Sequence, residues 1–131
     1  MPGINTPNAN LLLNFELGGA VVTASSPAQR ALGLATGTPV IGTYVEIGTG
    51  SGYSRIIATF GSASGGTASN TNNMTFGPFS AACTIQGMHL WDTTAATAGN
   101  NLRFGTVTAA RAISSGDSVI FNSGSLSCTL S

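Results

Sequence analysis

His89 is the single histidine of this 131-residue chain, and with Asp92 or Asp117 and one of many serines it supplies the residue types of a hydrolytic triad. A nucleophilic serine on a strained turn would carry the pattern Gly-x-Ser-x-Gly. The nearest approach, Gly61-Ser62-Ala63-Ser64-Gly65, places alanine at its centre. His89 itself stands between Met88 and Leu90, a setting that suits a packed or hydrogen-bonded structural histidine better than a general base. No catalytic residue is assigned on these grounds.

Metal and phosphate chemistry are equally thinly supplied. One histidine, the distant cysteines Cys83 and Cys128, and the scattered carboxylates Glu16, Glu46, Asp92 and Asp117 lack the close ligand pairs of a zinc site and the spacing of a calcium loop. In Gly48-Thr49-Gly50-Ser51-Gly52, Tyr53 stands where the third glycine of Gly-x-Gly-x-x-Gly would be. No Gly-Lys-Ser/Thr follows, and the next element reads as a strand. No metal site and no cofactor are expected. Asn73-Met74-Thr75 matches a glycosylation acceptor but is read as strand sequence, and Trp91 as a core or subunit-interface anchor.

The elements that would position these residues are short strands between glycine turns. The run Gly52-Tyr53-Ser54-Arg55-Ile56-Ile57-Ala58-Thr59-Phe60 is rich in aromatic and β-branched residues without proline, and predicts a central strand buried on both faces. Tyr53 and Arg55 share one face of it, as a pair that holds a neighbouring strand. Strands are also predicted over 30–36, 73–76, 84–92, 102–108 and 118–121, the pair 84–92 and 102–108 forming a hairpin, and residues 111–113 lead into a turn at 114–117. The last strand alternates, with Leu126, Cys128 and Leu130 inward and Ser125, Ser127 and Thr129 outward. Residues 37–52 read as a long irregular connection with an extended piece at 44–47, and residues 61–70, small and low in complexity, as a mobile loop.

Upstream, residues 1–10 carry Pro2, Gly3, Pro7 and three asparagines and suit an extended arm, free or laid on a partner. Residues 11–17 predict a short helix capped by Asn10 and stopped by Gly18-Gly19, apolar nearly all round, as a plug for one end of the core. Residues 21–23 suit a short strand or link. The expected whole is one all-β domain over 1–131, an antiparallel β-sandwich or jelly-roll-like barrel over 30–131 preceded by the helix and the arm. A disulfide between Cys83 and Cys128 requires that their strands be neighbours and the surroundings oxidising.

Composition narrows the class of partner. Charged residues are 6% of the chain, lysine is absent, and Arg30, Arg55, Arg103 and Arg111 balance the four carboxylates. Phosphate recognition needs clustered cations, so no nucleic-acid partner is expected. So few ions and no net charge favour association, and a homo-oligomer is expected. Met1-Pro2-Gly3-Ile4-Asn5 lacks a basic leader and 11–17 is too short to span a bilayer, so synthesis in a cytoplasm and no membrane partner are expected.

The ordered set Gly52-Tyr53-Ser54-Arg55, Asn73-Met74-Thr75-Phe76, Leu90-Trp91-Asp92, Gly99-Asn100-Asn101-Leu102, Gly116-Asp117-Ser118-Val119-Ile120-Phe121 and Gly124-Ser125-Leu126 resembles a family of small tailed-bacteriophage structural proteins usually labelled tail-fibre-like. The resemblance covers most of residues 10–130 and implies a virion protein made in the host cytoplasm. The leading expectation is a capsid decoration (cement) protein, a trimer bound to the major capsid protein on the outer surface of the head, its arm adding a strand to a neighbour's sheet. The alternative is a tail fibre-like or baseplate accessory protein whose partners are tail proteins or host surface glycans. A hydrolase using His89 stands third.

Overall fold

The computed structural model describes residues 3–4, 9–10, 13, 16–17, 29–40, 42–96 and 98–130. Its strands are β1 (Gly3–Ile4), β2 (Ala31–Ala35), β3 (Ile56–Ile57), β4 (Thr67–Ser69), β5 (Met74–Phe76), β6 (Cys83–Trp91), β7 (Asn101–Ile113), β8 (Val119–Phe121) and β9 (Ser127–Thr129). They form a five-stranded sheet in the order β1-β7-β6-β2-β3 and two ribbons, β4-β9 and β5-β8. All of these pairings are antiparallel, as an all-β reading requires.

The core lies between the large sheet and the β5-β8 ribbon. Leu32, Leu34, Ile85 and Leu90 from the sheet meet Met74, Phe76 and Phe79, with Phe121 half-buried beside them. Alternation explains the ribbon: Met74 and Phe76 are buried and Thr75 between them is exposed. The ring of Phe76 is edge-on to Phe121 at 5.9 Å and stacked on Tyr53 at 6.0 Å, two of the offset geometries that aromatic quadrupoles favour.

The hairpin of β6 and β7 forms as expected, and it is longer. The strand expected at 102–108 runs on through 113 as one strand with a wide bulge. Ile85 pairs with Arg111 and Gly87 with Thr106, so Gln86 alone faces residues 107–110 of β7. Residues 108–112 are exposed, and the bulge bends an edge that would otherwise present a flat row of backbone donors and acceptors.

Two expectations are corrected. Residues 52–60 are no central strand: only Ile56 and Ile57 join the ladder, on β2, at the sheet's edge, and Ile57 is exposed. Residues 61–70 are no loose loop but a hairpin. Gly65 and Gly66 both have positive φ, at 56° and 76°, and the flanking Ser64 and Thr67 bridge. Two successive left-handed residues suit the twist of a tight hairpin, and glycine adopts them without a Cβ clash. β4 then pairs with β9, and the hydroxyls of Thr67 and Thr129 meet across it at 3.0 Å.

Asn70 fastens this hairpin. It is 2% exposed, its Nδ2 donates to the carbonyls of Asn72 (2.7 Å) and Asn122 (3.0 Å), and its Oδ1 accepts the Leu126 N–H (2.8 Å). On the last strand Leu126 and Cys128 are half-buried as the alternation predicts, whereas Leu130 is exposed because β9 ends before it. Cys83 and Cys128 are free thiols on β6 and β9, strands of separate sheets, and burial pushes both thiol pKa values up.

Part of the arm is in place on its own chain: Gly3 pairs with Phe104 and Ile4 with Arg103 of β7. The helix expected at 11–17 lies mostly outside the described residues. Asn10 is itself helical and does not stand before the helix as its cap, and Leu13 and Leu17 are exposed, so these two leucines plug nothing. The strand expected at 21–23 lies outside the described residues. No helix among the described residues is long and apolar enough to cross a membrane.

Candidate functional site

A cluster of inward-facing polar groups lies over the middle of β2, around Gly33. This strand is flanked by β6 along its whole length, and its other edge is shared. β3 takes residues 31–32, and the extended piece at 44–47 takes the rest, through Thr36 N–H to Val45 O (2.9 Å) and Ile47 N–H to Leu34 O (3.1 Å). Glu46 is thereby brought opposite Ala35. Tyr53 and Arg55, two apart in extended chain, face the same way, and both are buried.

Arg55 uses its whole fork. Nε and Nη2 donate to Oε1 and Oε2 of Glu46, each at 2.8 Å, and Nη1 donates to the carbonyls of Thr93 (3.3 Å), Ala95 (2.8 Å) and Ala98 (2.9 Å). The guanidinium lies over Trp91 with Cζ 3.9 Å from the ring centroid. A buried cation is tolerated only when paired and fully hydrogen-bonded, and here the bidentate carboxylate and three carbonyls meet that need. Tyr53 completes the set: its hydroxyl donates to Glu46 Oε1 at 2.6 Å and accepts the Leu34 N–H at 2.8 Å.

Room for these groups comes from Gly33. A Cβ there would stand 2.7 Å from Glu46 Oε1, 2.9 Å from Tyr53 Oη and 3.3 Å from Trp91 Nε1. Directly across the ladder from Gly33 is His89, wholly buried, its ring edge-on to Tyr44 at 5.1 Å and tilted 49° to Trp91 at 6.0 Å. Neither ring nitrogen of His89 has a hydrogen-bond partner among the described residues.

The electrostatics follow. Burial alone would raise the Glu46 carboxyl, but the Arg55 and Tyr53 hydrogen bonds and the Arg55 charge outweigh it and hold its pKa below the ordinary carboxylate value. Burial, then the Glu46 hydrogen bond and charge, push the Tyr53 phenol well up. Burial is also the chief cause that pushes His89 down to about 4, with Arg55 adding to it and Glu46 opposing. His89 is therefore neutral at pH 7.

The triad weighed from the sequence does not come together. Asp92 accepts from the backbone N–H and side-chain amide of Asn100, each at 2.8 Å, bonds that hold its pKa down. Asp117 accepts the Ser114 N–H in the turn after β7. The glycine run at 48–52 is a single 3-10 turn, Thr49–Ser51, closed by Gly52 at φ 74° against Pro78 O. Among the described residues no group of His, Cys, Asp and Glu is placed to hold a metal ion.

What the arrangement does is mechanical. Arg55 ties residues 93–98 and Glu46 to one buried point, and Asp92 with Asn100 closes the base of the same connection. Two loops at one end of the sheet are thus held in fixed relation. The sequence places Tyr53 and Arg55 on one face and Trp91 in the core or at a subunit interface, and does not reveal that Glu46 is their partner. The available signal was scarcity: a buried arginine in a chain with four carboxylates must find one of them.

No curated protein matches the chain. The family model described as podophage GP4 fiber I protein gp80 matches residues 3–129, almost its whole length, in agreement with the resemblance carried by the ordered motifs from Gly52 to Leu126. The chain belongs to this podophage fiber I protein family, and is a bacteriophage structural protein of the virion.

Proposed function

We propose that the protein is a tail fibre-like accessory component of the virion, a non-enzymatic subunit that contacts neighbouring tail proteins and host surface glycans. The observation that carries this reading is the match to a fiber I family over residues 3–129. The clamped loops at 37–47 and 93–100 are the proposed contact surface, because a loop held by a buried ion pair meets a partner without first losing conformational entropy. With 6% charged residues such a contact would rest on shape, backbone and hydroxyl groups more than on ion pairs.

Capsid decoration becomes the second reading. It drew on a compact β domain, sparse charge and an arm that could add a strand to a neighbour's sheet, whereas Gly3 and Ile4 of that arm lie on β7 of their own chain. A homotrimer is the proposed state in either case. Labelling the protein in intact particles and locating it by electron microscopy separates the two: density on the tail supports the fibre role, and density on the capsid lattice overturns it. Light scattering of the purified protein tests the trimer.

A further inference from the structure

We propose that His89 is an acid-sensitive latch: when it takes up a proton, the buried Glu46–Arg55 clamp loosens and the connection at 93–98 is released while the rest of the fold persists. His89 is 0% exposed, and β2 and β7 place Gly33 and Phe104 opposite it on the ladder, neither of which carries a side-chain acceptor. Its own strand offers Gly87 and Trp91 on the same face, and an indole N–H is a donor only. The connection at 44–47 brings Tyr44 and Glu46, and the segment at 53–55 brings Tyr53 and Arg55.

Glu46 is therefore the one carboxylate of the cluster, and its oxygens already accept from Arg55 twice and from Tyr53 once. A proton on His89 creates a second cation beside Arg55 with no acceptor of its own. Either the imidazolium draws Glu46 away from Arg55, or the ring leaves its cage between Tyr44 and Trp91. In both cases the guanidinium that holds the carbonyls of Thr93, Ala95 and Ala98 loses its anchor. The connection is the part that yields, because residues 94–96 and 98–100 are exposed and, among the described residues, are tied down by those three bonds and the Asp92–Asn100 pair.

The sign follows from linkage. A histidine kept neutral by burial takes up its proton more readily in the unfolded chain. Stability is then fully present above about pH 6.5 and falls as the pH drops from there toward about 4. Glu46 acts lower: its contribution is present above the ordinary carboxylate value and is lost only as the pH falls through its depressed value. The interval from pH 7 to pH 5 thus isolates His89.

The test compares the full chain with His89→Phe and His89→Leu by hydrogen exchange and urea unfolding at pH 7 and pH 5. In the wild type, amides of residues 94–100 should exchange about tenfold faster at pH 5 than the intrinsic chemistry predicts, with the folding constant reduced about tenfold or more. Fluorescence of Trp91 should change over the same interval. Both variants should lose the pH dependence, and two shapes are used so that a packing defect in one does not decide the result. If either folded variant keeps the wild-type pH dependence, or if residues 94–100 stay equally protected in the wild type at both pH values, the latch is wrong.

Discussion

Arg55 sits over the ring of Trp91 while its fork holds Glu46, so one guanidinium joins an aromatic face, a carboxylate and three loop carbonyls. Removing it strands a carboxylate whose partner was in place on folding. Arg55→Ala is expected to cost about 3–5 kcal/mol, the range for breaking one side of a buried pair. Arg55→Lys keeps the charge but not the planar fork, and should still cost ~2 kcal/mol or more. Urea unfolding measures both, and a near-neutral Arg55→Lys would show that the carbonyl bonds contribute little.

Gly33→Ala tests the space above the clamp. The new Cβ would press on Glu46 Oε1 and Tyr53 Oη at under 3 Å, and on Trp91, itself held under Arg55. Overpacking of this kind costs about 1–3 kcal/mol. Gly50→Ala is the control, since nothing lies within 4 Å of its Cβ and its φ is not positive. It should be neutral or slightly stabilising in thermal unfolding.

Much of the sheet was legible because apolar alternation is a local signal. β2, β5, β6, β8 and β9 fall where the residues predict them, and the Gly-Asp turn at 116–117 precedes β8 as expected. Residues 52–60 misled because Tyr53 and Arg55 face inward for a reason outside the strand: they answer Glu46 in another connection, not a ladder partner. Residues 61–70 misled for the opposite cause. Their burial is slight, so no apolar pattern marks them, and the hairpin rests on Gly65-Gly66 and on Asn70, whose partners at 122 and 126 are far along the chain. The His89 cage was not legible at all, since Gly33, Tyr44 and Trp91 converge only through pairing of β2 with β6 on one edge and with the connection at 44–47 on the other.

Asn70 is expected to control the β4-β9 ribbon. Asn70→Leu leaves the half-buried Leu126 N–H and Asn72 carbonyl without their side-chain partner, while the exposed Asn122 carbonyl keeps the Ser125 N–H and hydroxyl; the loss should be about 1–3 kcal/mol. Asn70→Asp keeps an acceptor for Leu126 but turns a carboxylate toward two carbonyls, so it should be no better. Hydrogen exchange at Gly124 and Leu126 should rise in both variants, ahead of exchange in β6.

Tyr53 gives the last prediction, and its sign can be read from linkage. Its hydroxyl is both donor to Glu46 and acceptor from Leu34, so Tyr53→Phe leaves the Leu34 N–H unpaired and removes one of the bonds on Glu46. The ring stays stacked on Phe76, which limits the loss to the hydroxyl. The cost should be about 1.5–3 kcal/mol at pH 7, as for a hydrogen bond to a charged group. Burial and the Glu46 carboxylate hold the folded phenol protonated far above its ordinary value of 10.0. An unfolded tyrosine ionises near that value, so the stability it contributes is present below about pH 10 and is lost as the pH rises beyond it. Tyr53→Phe should therefore differ most from the wild type at neutral pH, with the gap narrowing in alkali. A gap that stayed constant from pH 7 to pH 11 in urea unfolding would mean that the phenol does not resist ionisation in the folded protein.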